Sequence, residues 1–102
     1  MYRIGIVGDG FTAADLLRIL AGHDGVRVTR ILSTENIGRR ISDVYPHLTG
    51  FSDIVCQASD MNNLAGACDA AFLALPHGLS VPIAARLLEM GTEAYLLAAS
   101  LE

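Results

Sequence analysis

The chain has 102 residues, 52% of them apolar, 18% charged and 6% aromatic, which excludes a disordered segment and fits one modest domain. Eleven acidic against seven basic side chains leave a net charge of −4, which speaks against a nucleic-acid partner or an anionic membrane surface. Two cysteines, Cys56 and Cys68, are too few for a disulfide scaffold and lack zinc-ligand spacing, and no apolar run approaches the ~18 residues of a membrane span.

The N-terminus enters a strand-like run at once, with no basic stretch leading into a signal-peptide core, so a cytoplasmic location is expected. Residues 2–7 carry β-branched Ile4, Ile6 and Val7 and predict a strand that stops at Gly8. Residues 12–21 predict a helix with Thr12 as N-cap, Asp15 as partner in a weak capping box, an apolar stripe of Leu16, Leu17 and Leu20, and Gly22 as its stop. Residues 26–32 alternate apolar and polar and predict a second strand. Residues 33–52 read as a long polar loop, functional or mobile, with a short helical turn near 42–45. A short strand is expected over 53–57.

Residues 69–75 are almost continuously apolar, as suits a central parallel strand buried on both faces. Pro76, His77 and Gly78 break it. Ser80 is then expected to cap a helix over 81–90, with Pro82 in its first turn, a stripe of Ile83, Ala84, Leu87 and Leu88, and Gly91 as terminator. Residues 93–99 predict a last strand. Strands alternating with helices give an α/β fold, a Rossmann-like parallel sheet with helices on both faces.

The stretch Gly8-Asp9-Gly10-Phe11-Thr12-Ala13 reads G-x-G-x-x-A between a predicted strand and a predicted helix, the context a dinucleotide-binding turn requires. Gly8 allows the tight turn, Gly10 lets backbone approach a pyrophosphate, and Ala13 lets the helix pack close to the strand. The plain alternative is a tight strand–helix turn without a ligand. Asp9, a carboxylate beside a bound pyrophosphate, is expected to point to solvent.

The end of the second strand, where NAD-selective folds place an acidic residue for the ribose, reads Ser33-Thr34-Glu35. Ser33 and Thr34 are small hydroxyl donors that do not repel a 2′-phosphate, and Arg39 and Arg40 follow closely enough to fold over one. This favours NADP. Glu35 keeps NAD open, since it could take the ribose hydroxyls.

Gly10-Phe11-Thr12, Asp15-Leu16-Leu17-Arg18, Ile41-Ser42-Asp43-Val44-Tyr45-Pro46-His47-Leu48 and Phe72-Leu73-Ala74-Leu75-Pro76-His77-Gly78 occur in that order. Through them the chain, over about residues 2–97, resembles the N-terminal NADP-binding domain of the N-acetyl-γ-glutamyl-phosphate reductases, a family of the semialdehyde-dehydrogenase group. The resemblance implies NADPH-dependent reduction of an acyl phosphate to a semialdehyde in arginine biosynthesis, through a cysteine thioester. The family's cysteine nucleophile and histidine acid/base lie in a later segment and have no counterpart here, so no catalytic residue is expected in this chain. The cofactor positions that carry over are the glycine turn, Ser33, and Leu75, Pro76, His77 and Gly78 after the central strand. The glycine turn is one residue shorter than the family's, Thr34 stands where the family often has an arginine, and the last strand lacks the family's usual acidic residues.

Cys56 and Cys68 have no activating motif and read as packing residues. His47 reads as exposed, Asp43 as a cap or turn acceptor, and Met61 and Met90 as gap-fillers. No metal site is expected. The expectation is the cofactor domain of a larger two-domain enzyme, self-associating through an apolar edge near 93–99. The cofactor domain of another NAD(P)-dependent oxidoreductase, or a non-catalytic nucleotide-sensing or interaction module, are the alternatives.

Overall fold

The computed structural model describes residues 2–8, 10–50, 54–58, 61–75 and 77–96, with backbone only at 61, 63, 65, 77–80 and 96. Strands β1 (Tyr2–Val7), β2 (Val26–Ser33), β3 (Gln57–Ala58), β4 (Ala70–Leu73) and β5 (Glu93–Leu96) form a parallel sheet in the order β3-β2-β1-β4-β5. Helices α1 (Phe11–Ala21), α2 (Ile41–Val44), α3 (Met61–Ala67) and α4 (His77–Glu89) connect them. The chain steps from β1 outward to β2 and β3, then crosses back to β4 and β5. With right-handed crossovers that reversal puts α1 on one face and α3 and α4 on the other.

The residue pattern explains why β4 and the carboxyl-terminal halves of β1 and β2 are apolar. Successive side chains point to opposite faces. Ile6 and Ile31 join Ala13, Leu17, Ile41 and Leu48 in one core, while their neighbours Val7 and Leu32 join Leu64, Leu73, Ala84 and Leu87 in the other. A strand covered on both faces has no position for a polar residue, which is why residues 70–73 read as a solid apolar run.

Several elements depart from the sequence expectations. Helix α1 begins at Phe11, with Gly10 as N-cap and no side-chain cap, so Thr12 sits inside the first turn instead of capping it. The segment after β2 is no slack loop. Besides α2 it holds a 3-10 turn over Pro46–Leu48, and it buries Ile41 and Leu48. The short strand lies at Gln57–Ala58, later than expected, and Val55 instead makes an isolated antiparallel bridge with Arg40. Helix α3 was not anticipated. Its Asn62, Asn63 and Gly66 are weak helix formers, and its buried Leu64 anchors it against the sheet. Strand β4 is shorter than expected, spanning Ala70–Leu73.

Helix α4 starts at His77, not at residue 81. Ser80 is therefore no cap, and Pro82 lies inside the helix. Burial of Leu87 and Ala84 against the sheet offsets the hydrogen bond that the proline ring removes. Leu88, expected in the apolar stripe, is 62% exposed. The helix ends in a Schellman turn, with the Thr92 N–H donating to Leu87 O and the Gly91 N–H to Leu88 O. The last strand is described only as far as residue 96. No helix among the described residues is long and apolar enough to cross a membrane.

Candidate functional site

The strand order reverses between β1 and β4, so the topological switch lies at their carboxyl ends, with the end of β2 alongside. This is where open α/β sheets take their ligands. Gly8 closes β1 at φ +116°, a conformation L side chains rarely adopt. A Cβ on it would stand 2.6 Å from the Ala74 carbonyl oxygen and 3.4 Å from a Leu75 methyl. Its N–H donates to Leu32 O, and the Ala74 N–H donates to Val7 O, at 2.9 Å each. The glycine turn is thus tied to the ends of β2 and β4 together. Leu75 belongs to this cradle.

Gly10 is different. A Cβ there would meet no described atom within 4 Å. The Ala14 N–H donates to Gly10 O as the first bond of the helix, so the amides of Phe11, Thr12 and Ala13 have no acceptor within it. A threonine N-cap would have taken one of these donors. Glycine leaves all of them, with the positive end of the helix dipole, to an anion. Ala13 is fully buried, which lets α1 lie close on the sheet. Thr12 is half-buried. Phe11 is 79% exposed and meets Tyr45 edge-on at 5.6 Å, and Tyr45 meets the exposed His47 at 6.0 Å.

Ser33 ends β2 next to this turn, 3% exposed, and its Oγ accepts the Asn36 N–H at 2.9 Å. Thr34 and Glu35 are exposed. Arg39 donates from a guanidinium nitrogen to Asn36 Oδ1 at 3.0 Å, and Arg40 Nε lies 3.4 Å from Asp43 Oδ2. A backbone ladder holds this stretch. Gly38 N–H donates to Cys56 O, Cys56 N–H to Arg39 O, and Ile41 N–H to Ile54 O, each at 2.8 Å. Asp43 is therefore an ion-pair partner as well as a helix-turn residue.

His77 and Gly78, expected on a turn, open helix α4. Asp9 and Pro76 lie outside the described residues. Both cysteines are buried, and burial pushes the Cys68 thiol pKa up while its S–H donates to Leu64 O. Neither has the setting of a nucleophile. No cluster of metal-ligating side chains occurs among the described residues. Asn36 is a site-region residue that sequence reasoning missed. The buried core of 41–48 was also missed, although Ile41, Val44, Tyr45 and Leu48 carry helical spacing that makes it legible.

These residues fit a dinucleotide: a cradle closed by a glycine, a helix start whose first amides have no acceptor within the helix, and room over Gly10 among the described atoms. The fold and this turn define a dinucleotide-binding domain of the doubly wound class. The semialdehyde dehydrogenase NAD-binding domain family matches residues 3–100, and the chain belongs to that family. It is 42% identical over 92 residues to an N-acetyl-gamma-glutamyl-phosphate reductase of Heliobacterium modesticaldum, covering 89% of this chain and 26% of that protein. It is also 42% identical over 94 residues to a [LysW]-L-2-aminoadipate/[LysW]-L-glutamate phosphate reductase of Sulfolobus acidocaldarius, covering 91% and 27%. The chain thus spans little more than a quarter of the length of these curated relatives. Among solved structures, aspartate semialdehyde dehydrogenase with NADP from Candida albicans aligns at a TM-score of 0.76 and 20% identity, over 96% of this chain and 30% of that one. At that identity the likeness establishes the fold.

Proposed function

We propose that residues 1–102 are the cofactor-binding domain of a longer, cytoplasmic reductase that uses NADPH to reduce an acyl phosphate to a semialdehyde, with N-acetyl-γ-glutamyl phosphate in arginine biosynthesis as its substrate. The observation that carries the reading is the identity of about two residues in five, over nine-tenths of the chain, to reductases of that name. The bound cofactor supplies a hydride. The chain's own residues bind and orient it. The amides at the start of α1 hold the pyrophosphate, Gly10 gives it room, and Gly8, Ala74 and Leu75 wall the cleft. Ser33 and Thr34 lie at the ribose, with Arg39 and Arg40 as the two candidates for its 2′-phosphate, and the start of α4 at His77 and Gly78 lies toward the reacting end.

The Sulfolobus relative supports a second reading, a carrier-linked amino-acid phosphate as substrate. Both readings share the acyl-phosphate chemistry and the cofactor. No nucleic-acid partner is part of either, and self-association through the β5 edge, where Tyr95 is exposed, goes with both.

The test is calorimetric titration of the chain with NADPH and with NADH. Tighter NADPH binding supports the cofactor reading, and a preference for NADH overturns it in favour of Glu35 as ribose acceptor. For the enzyme reading, a frame that continues into a segment with a nucleophilic cysteine and a distant histidine supports the reductase. A stop codon there favours a sensing module.

A further inference from the structure

The two arginines beside the ribose end of the site are held in chemically different ways. Arg40 faces a carboxylate, Asp43, whose charge offsets its own. Arg39 is held by a neutral amide oxygen, Asn36 Oδ1, at 3.0 Å. That contact fixes the guanidinium without cancelling its charge. It occupies one N–H and leaves the rest of the donor fork for another acceptor.

The holder is itself fixed. The Asn36 N–H donates to Oγ of the buried Ser33, whose neighbour Leu32 accepts the Gly8 N–H, and Asn36 O accepts the Arg39 N–H at 3.0 Å. On the other side of Arg39, its carbonyl takes the N–H of buried Cys56 at 2.8 Å. Hydrogen bonds and the Leu32–Ser33 backbone together therefore link the glycine turn, through the end of β2, to one guanidinium.

We infer that Arg39, and not Arg40, reads the 2′-phosphate of the dinucleotide, and that Asn36 is the residue that positions it. The inference rests on the cofactor reading above. A dianion at Arg39 meets a cation held by a neutral acceptor, whereas one at Arg40 meets the field of Asp43 as well. Charge-assisted, bidentate contact with phosphate is what the arginine fork is built for. Asn36 acts through Arg39 and needs no contact with the cofactor.

Calorimetry of the 102-residue chain with NADPH and NADH tests this. Arg39→Ala is expected to weaken NADPH binding by about tenfold to a hundredfold and leave NADH binding unchanged. Arg40→Ala is expected to change either affinity by less than about threefold, the range of an exposed ion pair. Asn36→Ala is expected to weaken NADPH binding by roughly three- to tenfold with NADH unaffected, as the loss of one ordering hydrogen bond. Asn36→Asp keeps the acceptor but adds a charge, so its melting temperature stays near that of the unmodified chain while its NADPH preference falls. If Arg40→Ala matches Arg39→Ala, or Asn36→Ala weakens both dinucleotides equally, the assignment is overturned and the cofactor reading stands. If the unmodified chain binds neither dinucleotide, the cofactor reading falls and the assignment falls with it.

Discussion

The two ends of the parallel sheet are built on opposite plans. At the amino ends of the strands, side chains satisfy one another. Arg3 clasps Asp69 with its guanidinium and donates its backbone N–H to the same carboxylate at 2.9 Å, and Asp69 returns its own N–H to Arg3 O at 2.8 Å. Tyr2 donates to Glu93, and Thr29, at an irregularity in the β1–β2 register, donates to Ala67 O at 2.7 Å. At the carboxyl ends the backbone is braced, but the amides of a helix start whose N-cap glycine offers no side chain are presented outward, beside an exposed phenylalanine. One end closes the sheet, and the other offers donors to something else. The difference teaches where stability and binding separate in this fold.

The sharpest way to break the comparison is Gly8→Ala. Left-handed backbone and a contact with the Ala74 carbonyl should destabilise the chain by about 3 kcal/mol in urea denaturation, and dinucleotide binding should be lost with it. Gly10→Ala should separate the two properties. The urea midpoint should stay nearly constant, because a methyl there has room, while affinity for NADPH falls at least about tenfold as the methyl enters the path of the pyrophosphate. Equal affinity in this variant would mean that the turn is only a turn.

At the closed end, Asp69→Asn should lower stability slightly and leave binding unchanged. The Arg3 guanidinium and N–H hold the Asp69 pKa below the usual carboxylate range. Its contribution is therefore present above the ordinary aspartate pKa and lost as pH falls through the depressed value. The stability difference between variant and parent should accordingly vanish in acid. Tyr2→Phe should have the smallest effect. The hydrogen bond to Glu93 pushes the Tyr2 pKa up to about 12, so its contribution is complete below the ordinary tyrosine pKa and lost as pH rises through the raised one. Parent and variant should converge only in strong alkali.

The open end was the more legible of the two in the sequence. Gly8, Gly10 and Ala13 stand at fixed offsets between a β-branched strand and a leucine stripe, and offsets are what local reasoning reads well. The parallel order of the strands followed from alternation of strand and helix. Helix α3 escaped because its seven residues include poor helix formers and owe their state to one buried leucine seated over Gly5. Asp69 as a clasp and Asn36 as a holder escaped for another reason. The partner of Asp69 is sixty-six positions away, and Asn36 meets Ser33 and Arg39, three positions to either side, in a turn closed through the distant Cys56. The start of α4 at His77 is hidden in the sequence because Ser80 and Pro82 resemble a cap and a first turn.

The small ladder that joins Gly38–Ile41 to Ile54–Cys56 has a consequence for how this domain can vary. It closes a neck from which the chain runs into α2 and the 3-10 turn, whose Ile41 and Leu48 lie in the core, and out to the exposed Gly50. A change of length at Gly50, outside that core, should therefore leave the arginine beside β2 in place. For the same reason Gly50 is the place to graft a fluorophore or an epitope loop and still watch cofactor binding on an unaltered scaffold.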